Sequence, residues 1–134
     1  MGQPAAKQGD TIVALDYHIV LVPAPPGPPV PQLLPHPFVG VLDGGLSPNV
    51  RIMGRQAALV GSTATNTPHM PTSPGLTFQR LPANRGVVQG GSGTVRINGR
   101  SAARGGDLAV TCNDPADLPV GRVIAAPGTV RIGL

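Results

Sequence analysis

The sequence predicts an all-β domain, and three observations carry that prediction. First, a phrase repeats: NVRIMGRQAALVGS from Asn49 to Ser62 and TVRINGRSAARGGD from Thr94 to Asp107 agree at Val, Arg, Ile, Gly, Arg, Ala, Ala and Gly. Second, 19 Gly and 17 Pro punctuate the 134 residues so often that no stretch sustains a 3.6-residue apolar period, which leaves little room for helix. Third, the charged fraction is only 12% and the repeated segments are β-branched, which favours ordered strands over the disorder that a Gly- and Pro-rich composition otherwise brings.

Each repeat reads as a hairpin. Val95 and Ile97 share one face at period two while Arg96 takes the other, and Asn98-Gly99 is the dipeptide that a tight type I′ turn requires. Val50, Arg51 and Ile52 repeat the pattern ahead of Met53-Gly54, a weaker turn that keeps the glycine. A third copy is split. TVRIGL, at Thr129 to Leu134, supplies the first half, and Gly2, Ala5, Ala6 and Gly9 supply the second. Self-similarity at a spacing of about 45 residues points to units that bury their apolar faces against one another. The split copy is useful only if the first and last strands pair, so three hairpins close a ring with pseudo-three-fold symmetry. The paired alanines suit a crowded place where three strands approach one axis.

A chain of this length makes one domain, 1–134, and no charge run divides it. With only Tyr17, Phe38 and Phe78 as aromatics, the core must be Val, Ile, Leu and Ala. The net charge of +4 comes from scattered Arg rather than a basic block, which speaks against nucleic-acid binding. TIVALDYHIVLV is too short and too polar to span a bilayer, and no secretory leader is recognisable, so synthesis in the cytoplasm is expected. The segment from Pro23 to Pro37 holds 8 Pro in 15 residues and is expected to be a rigid surface loop in polyproline II, or a ligand for an aromatic groove.

One cysteine rules out an internal disulfide. The soft-ligand inventory is His18, His36, His69 and Cys112, and three imidazoles with one thiolate make a closed structural zinc site. Their intervals match no zinc finger, but the repeats place them. His18, His69 and Cys112 follow Ala6, Ala58 and Ala103 by 12, 11 and 9 residues, so strands climbing together would deliver three ligands to one apex, with His36 returning from the Pro-rich excursion. Iron suits the same donors. Asp10, Asp107 and Asp114 have no spare His or Cys to complete a catalytic site, and GVVQGGSG has no helix behind it to bind phosphate. No enzymatic activity is therefore expected.

The motifs PAAK (Pro4 to Lys7), QAAL (Gln56 to Leu59) and SAAR (Ser101 to Arg104) resemble those of the PAAR-repeat proteins, which tip the trimeric spikes of bacterial contractile injection machines such as type VI secretion systems and phage-like tails. The resemblance spans nearly the whole chain. It implies a short cone with a triangular base and a tip stapled by zinc on His18, His36, His69 and Cys112. It also implies one copy per spike trimer (a VgrG-like or phage-spike-like partner), transient contact with a target membrane, effectors as further passengers, and delivery out of the cell. The hairpin turns are the expected spike contacts: Met53, Gly54 and Arg55; Asn98, Gly99 and Arg100; and Met1, Gly2 and Leu134. QAAL and Gly61-Ser62 drift from the usual wording, so distortion of the middle repeat is expected. Toxic members carry an added domain beyond the cone, and none is seen here. Two rival readings stand beside the spike tip: a small zinc-dependent hydrolase, and a free-standing zinc-stabilised module that binds partners through its Pro-rich loop.

Overall fold

The computed structural model describes residues 2–71 and 73–134, and Met1, one of the expected spike contacts, lies outside them. The described residues form strands and no helix. The first third of the chain contains β1 (Gln3–Pro4), β2 (Thr11–Val22) and β3 (Val30–Gly44). The middle contains β4 (Arg51–Ile52), β5 (Arg55–Gln56), β6 (Thr63–Asn66), β7 (Thr77–Phe78) and β8 (Arg85–Val88). The last third contains β9 (Arg96–Ile97), β10 (Arg100–Ser101), β11 (Leu108–Thr111), β12 (Leu118–Ile124) and β13 (Arg131–Ile132).

The repeats are ribbons in equivalent register. Ile52 stands opposite Arg55 in β4–β5, and Ile97 opposite Arg100 in β9–β10. The split copy forms as well, with β1 antiparallel to β13 and Gln3 opposite Ile132. Both covalent turns put two residues in the left-handed region, Met53 and Gly54 at φ 52° and 82°, Asn98 and Gly99 at 51° and 79°. Met53 thus adopts the conformation that Asn98 takes more readily, because the strand register on either side dictates it.

The alanine pairs meet at the axis. Ala6 donates its amide to the Ala103 carbonyl (3.0 Å), Ala103 to Ala58 (3.1 Å) and Ala58 to Ala6 (3.0 Å), a cyclic set of three hydrogen bonds. All three residues are fully buried. Just beyond them each copy makes the same small loop, with a glycine at positive φ (Gly9, Gly61 and Gly106) and a side chain that caps an amide three residues back. Asp10 caps Lys7 and Asp107 caps Arg104; in the middle copy Ser62 caps Leu59 at 3.0 Å. The drift at Gly61-Ser62 therefore leaves the middle repeat undistorted, because a serine hydroxyl accepts the same bond as a carboxylate.

From each loop a strand rises and returns. The order β12–β11–β8–β6–β3–β2 closes on itself through a β12–β2 pairing, giving a six-stranded antiparallel barrel without free edges over that height. Even-numbered positions of β2 and β3 point inward. The core contains Ile12, Leu42, Ala64, Val88, Ala109 and Val123 around one aromatic, Phe38. Two strand glycines make room for that ring: a Cβ would lie 2.8 Å from the Phe38 ring at Gly40 and 3.3 Å from it at Gly86.

The Pro-rich stretch departs from expectation. Only residues 23–29 form a loop. From Val30 the chain is already β3, paired residue by residue with β2 down to Thr11 opposite Val41. Pro31, Pro35 and Pro37 fall on outward positions of β3, where its pairing with β6 has not begun, so no ladder bond is lost. A polyproline loop was the natural reading of proline density; proline phase, with every second residue inward, is what decided the outcome.

Candidate metal centre

The upper part of the barrel gathers ionisable side chains. Asp16 and His18 sit two residues apart on the inward face of β2, and the register places His36 of β3 directly opposite Asp16. Beyond β6 the chain leaves the sheet, and the His69 amide is held by Asn84 Oδ1 at 2.9 Å. Cys112 follows β11 in a loop laced to β2. Tyr17 and Ile19 donate their amides to the Asn113 and Asp114 side chains (2.7 and 2.8 Å), and the Asp114 amide returns a bond to Tyr17. Side chains there replace a strand partner, which fixes Cys112 beside His18.

The three imidazoles are mutually adjacent, with ring centroids 5.1 Å (His18–His69), 5.5 Å (His36–His69) and 5.6 Å (His18–His36) apart. Cys112 Sγ lies 3.7 Å from His18 Nε2 and 3.3 Å from Asp16 Oδ2, and His69 Nε2 lies 3.1 Å from that same oxygen. One donor atom each from Asp16, His18, His69 and Cys112 falls within 4.8 Å of all the others, a buried group that can hold a metal ion. His36 is packed against the other two rings. Its Nδ1–H donates to the Leu34 carbonyl at 3.0 Å, which leaves Nε2 with a lone pair, buried and without a partner. Such an orphaned acceptor is costly unless something binds it.

A second layer orients these groups. Asp16 Oδ1 accepts from Thr111 Oγ1 (2.5 Å) and Asn113 Nδ2 (3.5 Å). His18 Nδ1 faces Asp114 Oδ2 at 3.5 Å, and Asp114 is tied to Arg80 at 2.7 Å. The His18–Asp114 contact is no hydrogen bond, so His18 Nδ1, like His36 Nε2, is buried without a partner. Burial pushes the Asp114 carboxyl up, but the Ile19 amide, Arg80 and His18 outweigh it and hold it below its ordinary value. Asp10 and Asp107, by contrast, are occupied at the loop caps below the barrel, Asp10 with Lys7 and Asp107 with Arg104.

Burial sets the charge state of the ligands. It lowers His18 and His36 below the ordinary 6.5, with Asp114 opposing it at His18 and the Leu34 carbonyl opposing it at His36. It raises the Cys112 thiol to about 11, helped by the Asp16 charge. Without metal the site therefore holds neutral imidazoles at His18 and His36 and a neutral thiol at Cys112. Folded imidazoles with lowered pKa bind fewer protons than unfolded ones, so stability falls as pH drops below about 6.5. The thiol acts at the other end, its contribution being lost as pH rises between 9.0 and about 11. The melting temperature of metal-free protein is expected to be higher at pH 7.5 than at pH 5; equal values would contradict neutral buried imidazoles.

Of the sequence-predicted ligands, His18, His69 and Cys112 fall in one group of donors, whose fourth member is Asp16; His36 packs its ring beside them and is not one of the four. The signal for Asp16 was available, since alternation in TIVALDYHIV puts it on the face of His18. A cleft of about 250 Å³ reaches the cluster, lined by His18, Cys112, Asn113 and Arg80 among others. The predicted spike contacts lie at the other end, where Met53, Gly54, Arg55, Asn98, Gly99, Arg100 and Leu134 are exposed and Gly2 is half-buried. No protein-family model matches this sequence, and no curated protein matches it either.

Proposed function

We propose that this chain is the non-enzymatic tip of a trimeric spike in a contractile injection machine, capping and sharpening it, with a zinc ion held by His18, His36, His69 and Cys112. The cyclic alanine hydrogen bonds carry this reading. A single chain that repeats one ribbon three times about an axis offers a three-fold partner three comparable contacts, which an ordinary asymmetric domain cannot do. The closed barrel above shares axial load among its strands, and the metal pins the far end. On the flank, Leu15, Tyr17, Leu33, Val39 and Val41 are exposed on the outward side of β2 and β3, an apolar surface suited to passage through lipid.

The base supplies the contact chemistry. Arg55 and Arg100 occupy equivalent places, reaching the Gln8 and Val60 carbonyls across the joint to the next copy. Arg55→Asp and Arg100→Asp are each expected to weaken capping of the trimeric spike by roughly tenfold. Co-purification with the spike at wild-type levels would count against this face.

One observation favours the hydrolase reading: the cleft beside His18 and Cys112 is the opening a catalytic zinc would need. Ester turnover by zinc-loaded protein, abolished by chelation, would support it over the spike tip. The peptide-binding module has less to stand on, because Pro31, Pro35 and Pro37 are committed to β3.

A further inference from the structure

Asp16 is the acid of the cluster that nothing below or beside it explains. It is fully buried, and its hydrogen-bond partners are Thr111, Asn113, Cys112 and His69, with no Lys or Arg among them. Thr111 and Asn113 both engage Oδ1. That fixes the carboxylate and leaves Oδ2 facing the sulfur and the imidazole.

The contact between Cys112 Sγ and Asp16 Oδ2 is informative. At 3.3 Å it is held by the single hydrogen of the thiol. A cysteine that binds metal does so as thiolate and gives that hydrogen up. Sulfur and oxygen would then be two buried anions at 3.3 Å, a repulsion that a cation shared by both removes. The spacings agree with a shared ion. Donors around one tetrahedral zinc, bound at about 2.0–2.3 Å, stand about 3.3–3.6 Å apart. The chain His69 Nε2–Asp16 Oδ2–Cys112 Sγ–His18 Nε2 runs at 3.1, 3.3 and 3.7 Å.

We propose that Asp16 binds the ion directly through Oδ2, alongside Cys112, His18 and His69, with His36 packed beside them, so that two anionic donors neutralise a divalent cation in the barrel. This rests on the metal reading above and extends it. Three histidines and a thiolate around a dication would leave one positive charge buried; with Asp16 the centre is neutral. It is accordingly a site for a borderline dication such as zinc or iron(II), and a poor one for monovalent copper, which would leave a net negative charge in the same place.

Zinc affinity of the full chain, measured by competition with a chromophoric chelator, tests whether Asp16 serves the centre, and the Oδ2–zinc distance in a crystal structure of the zinc-loaded wild type tests whether it does so by direct ligation. Asp16→Asn is expected to bind zinc at least about tenfold more weakly than wild type, which binds one equivalent. Equal affinity of variant and wild type would overturn the proposal while leaving the metal centre standing; a wild-type chain that takes up no zinc would overturn both. Should Asp16→Asn not fold, the crystal structure of the zinc-loaded wild type decides alone. An Oδ2–zinc distance of about 2.0–2.2 Å is the expected result, and one beyond about 3 Å overturns it.

Discussion

With zinc bound as proposed, stripping it with a strong chelator is expected to cost the protein most of its stability. A structural zinc contributes about 10 kcal/mol or more in a small domain, comparable with the roughly 5–15 kcal/mol that holds such a fold together. The apparent melting temperature should therefore fall by roughly 35 °C or more. The loss should also be local at first. Around the cluster the backbone is held by side chains, as where Tyr17 and Ile19 bond to Asn113 and Asp114, so those amides should exchange with solvent soon after the ion leaves. The amides of Ala6, Ala58 and Ala103, locked in their ring, should stay protected longer. Cys112→Ser should reproduce a weaker form of the same pattern. A Cys112→Ala protein with full zinc content and an unchanged melting temperature would remove the thiolate from the site.

The second large effect is expected at Phe38. It is the one aromatic inside the barrel, fully buried, with its ring centroid 6.2 Å from that of His69. Phe38→Ala should cost about 3–5 kcal/mol, seen as a lower denaturant midpoint at unchanged slope. Zinc affinity should fall with it, because the floor under His69 is lost. Gly86 provides an internal check. In the wild type an added methyl there would press on the Phe38 and Ile12 side chains at 3.3 Å, whereas in Phe38→Ala it enters the space vacated. Gly86→Ala should thus destabilise the parent and partly rescue the variant. Additive effects would show that the two positions do not share one space.

Much of this architecture was legible in the sequence because it is written in repeated residues. The VRI strands, the turn glycines and the alanine pairs state a ribbon twice, and the halves Thr129–Leu134 and Gly2–Gly9 state it a third time. His18, His69 and Cys112 could be placed at one height by counting from the alanines, whereas His36, expected as the fourth ligand from the supply of imidazoles, packs beside a group whose fourth donor is Asp16. Two features were hidden for physical reasons. The prolines between Pro31 and Pro37 signal a loop by composition, yet a strand tolerates them wherever their missing amide faces no partner, and that depends on register. Asp16 reads as a charge interrupting an apolar run. Its role emerges only when β11 brings Thr111 and Cys112 against it, from about 95 residues away.

The pairing of β1 with β13 also has a bearing on when the protein can fold. Gln3 and Ile132 are partners, so the third ribbon has to wait until the chain has been made through Ile132. Until then the Ala5 amide lacks the Val130 carbonyl that accepts it, although Ala6 already has both Ala58 and Ala103 to bond and β12 is already available to close the barrel on β2. Closure of that ribbon is therefore a late step of folding, and the N-terminal segment must be kept from straying until β13 arrives.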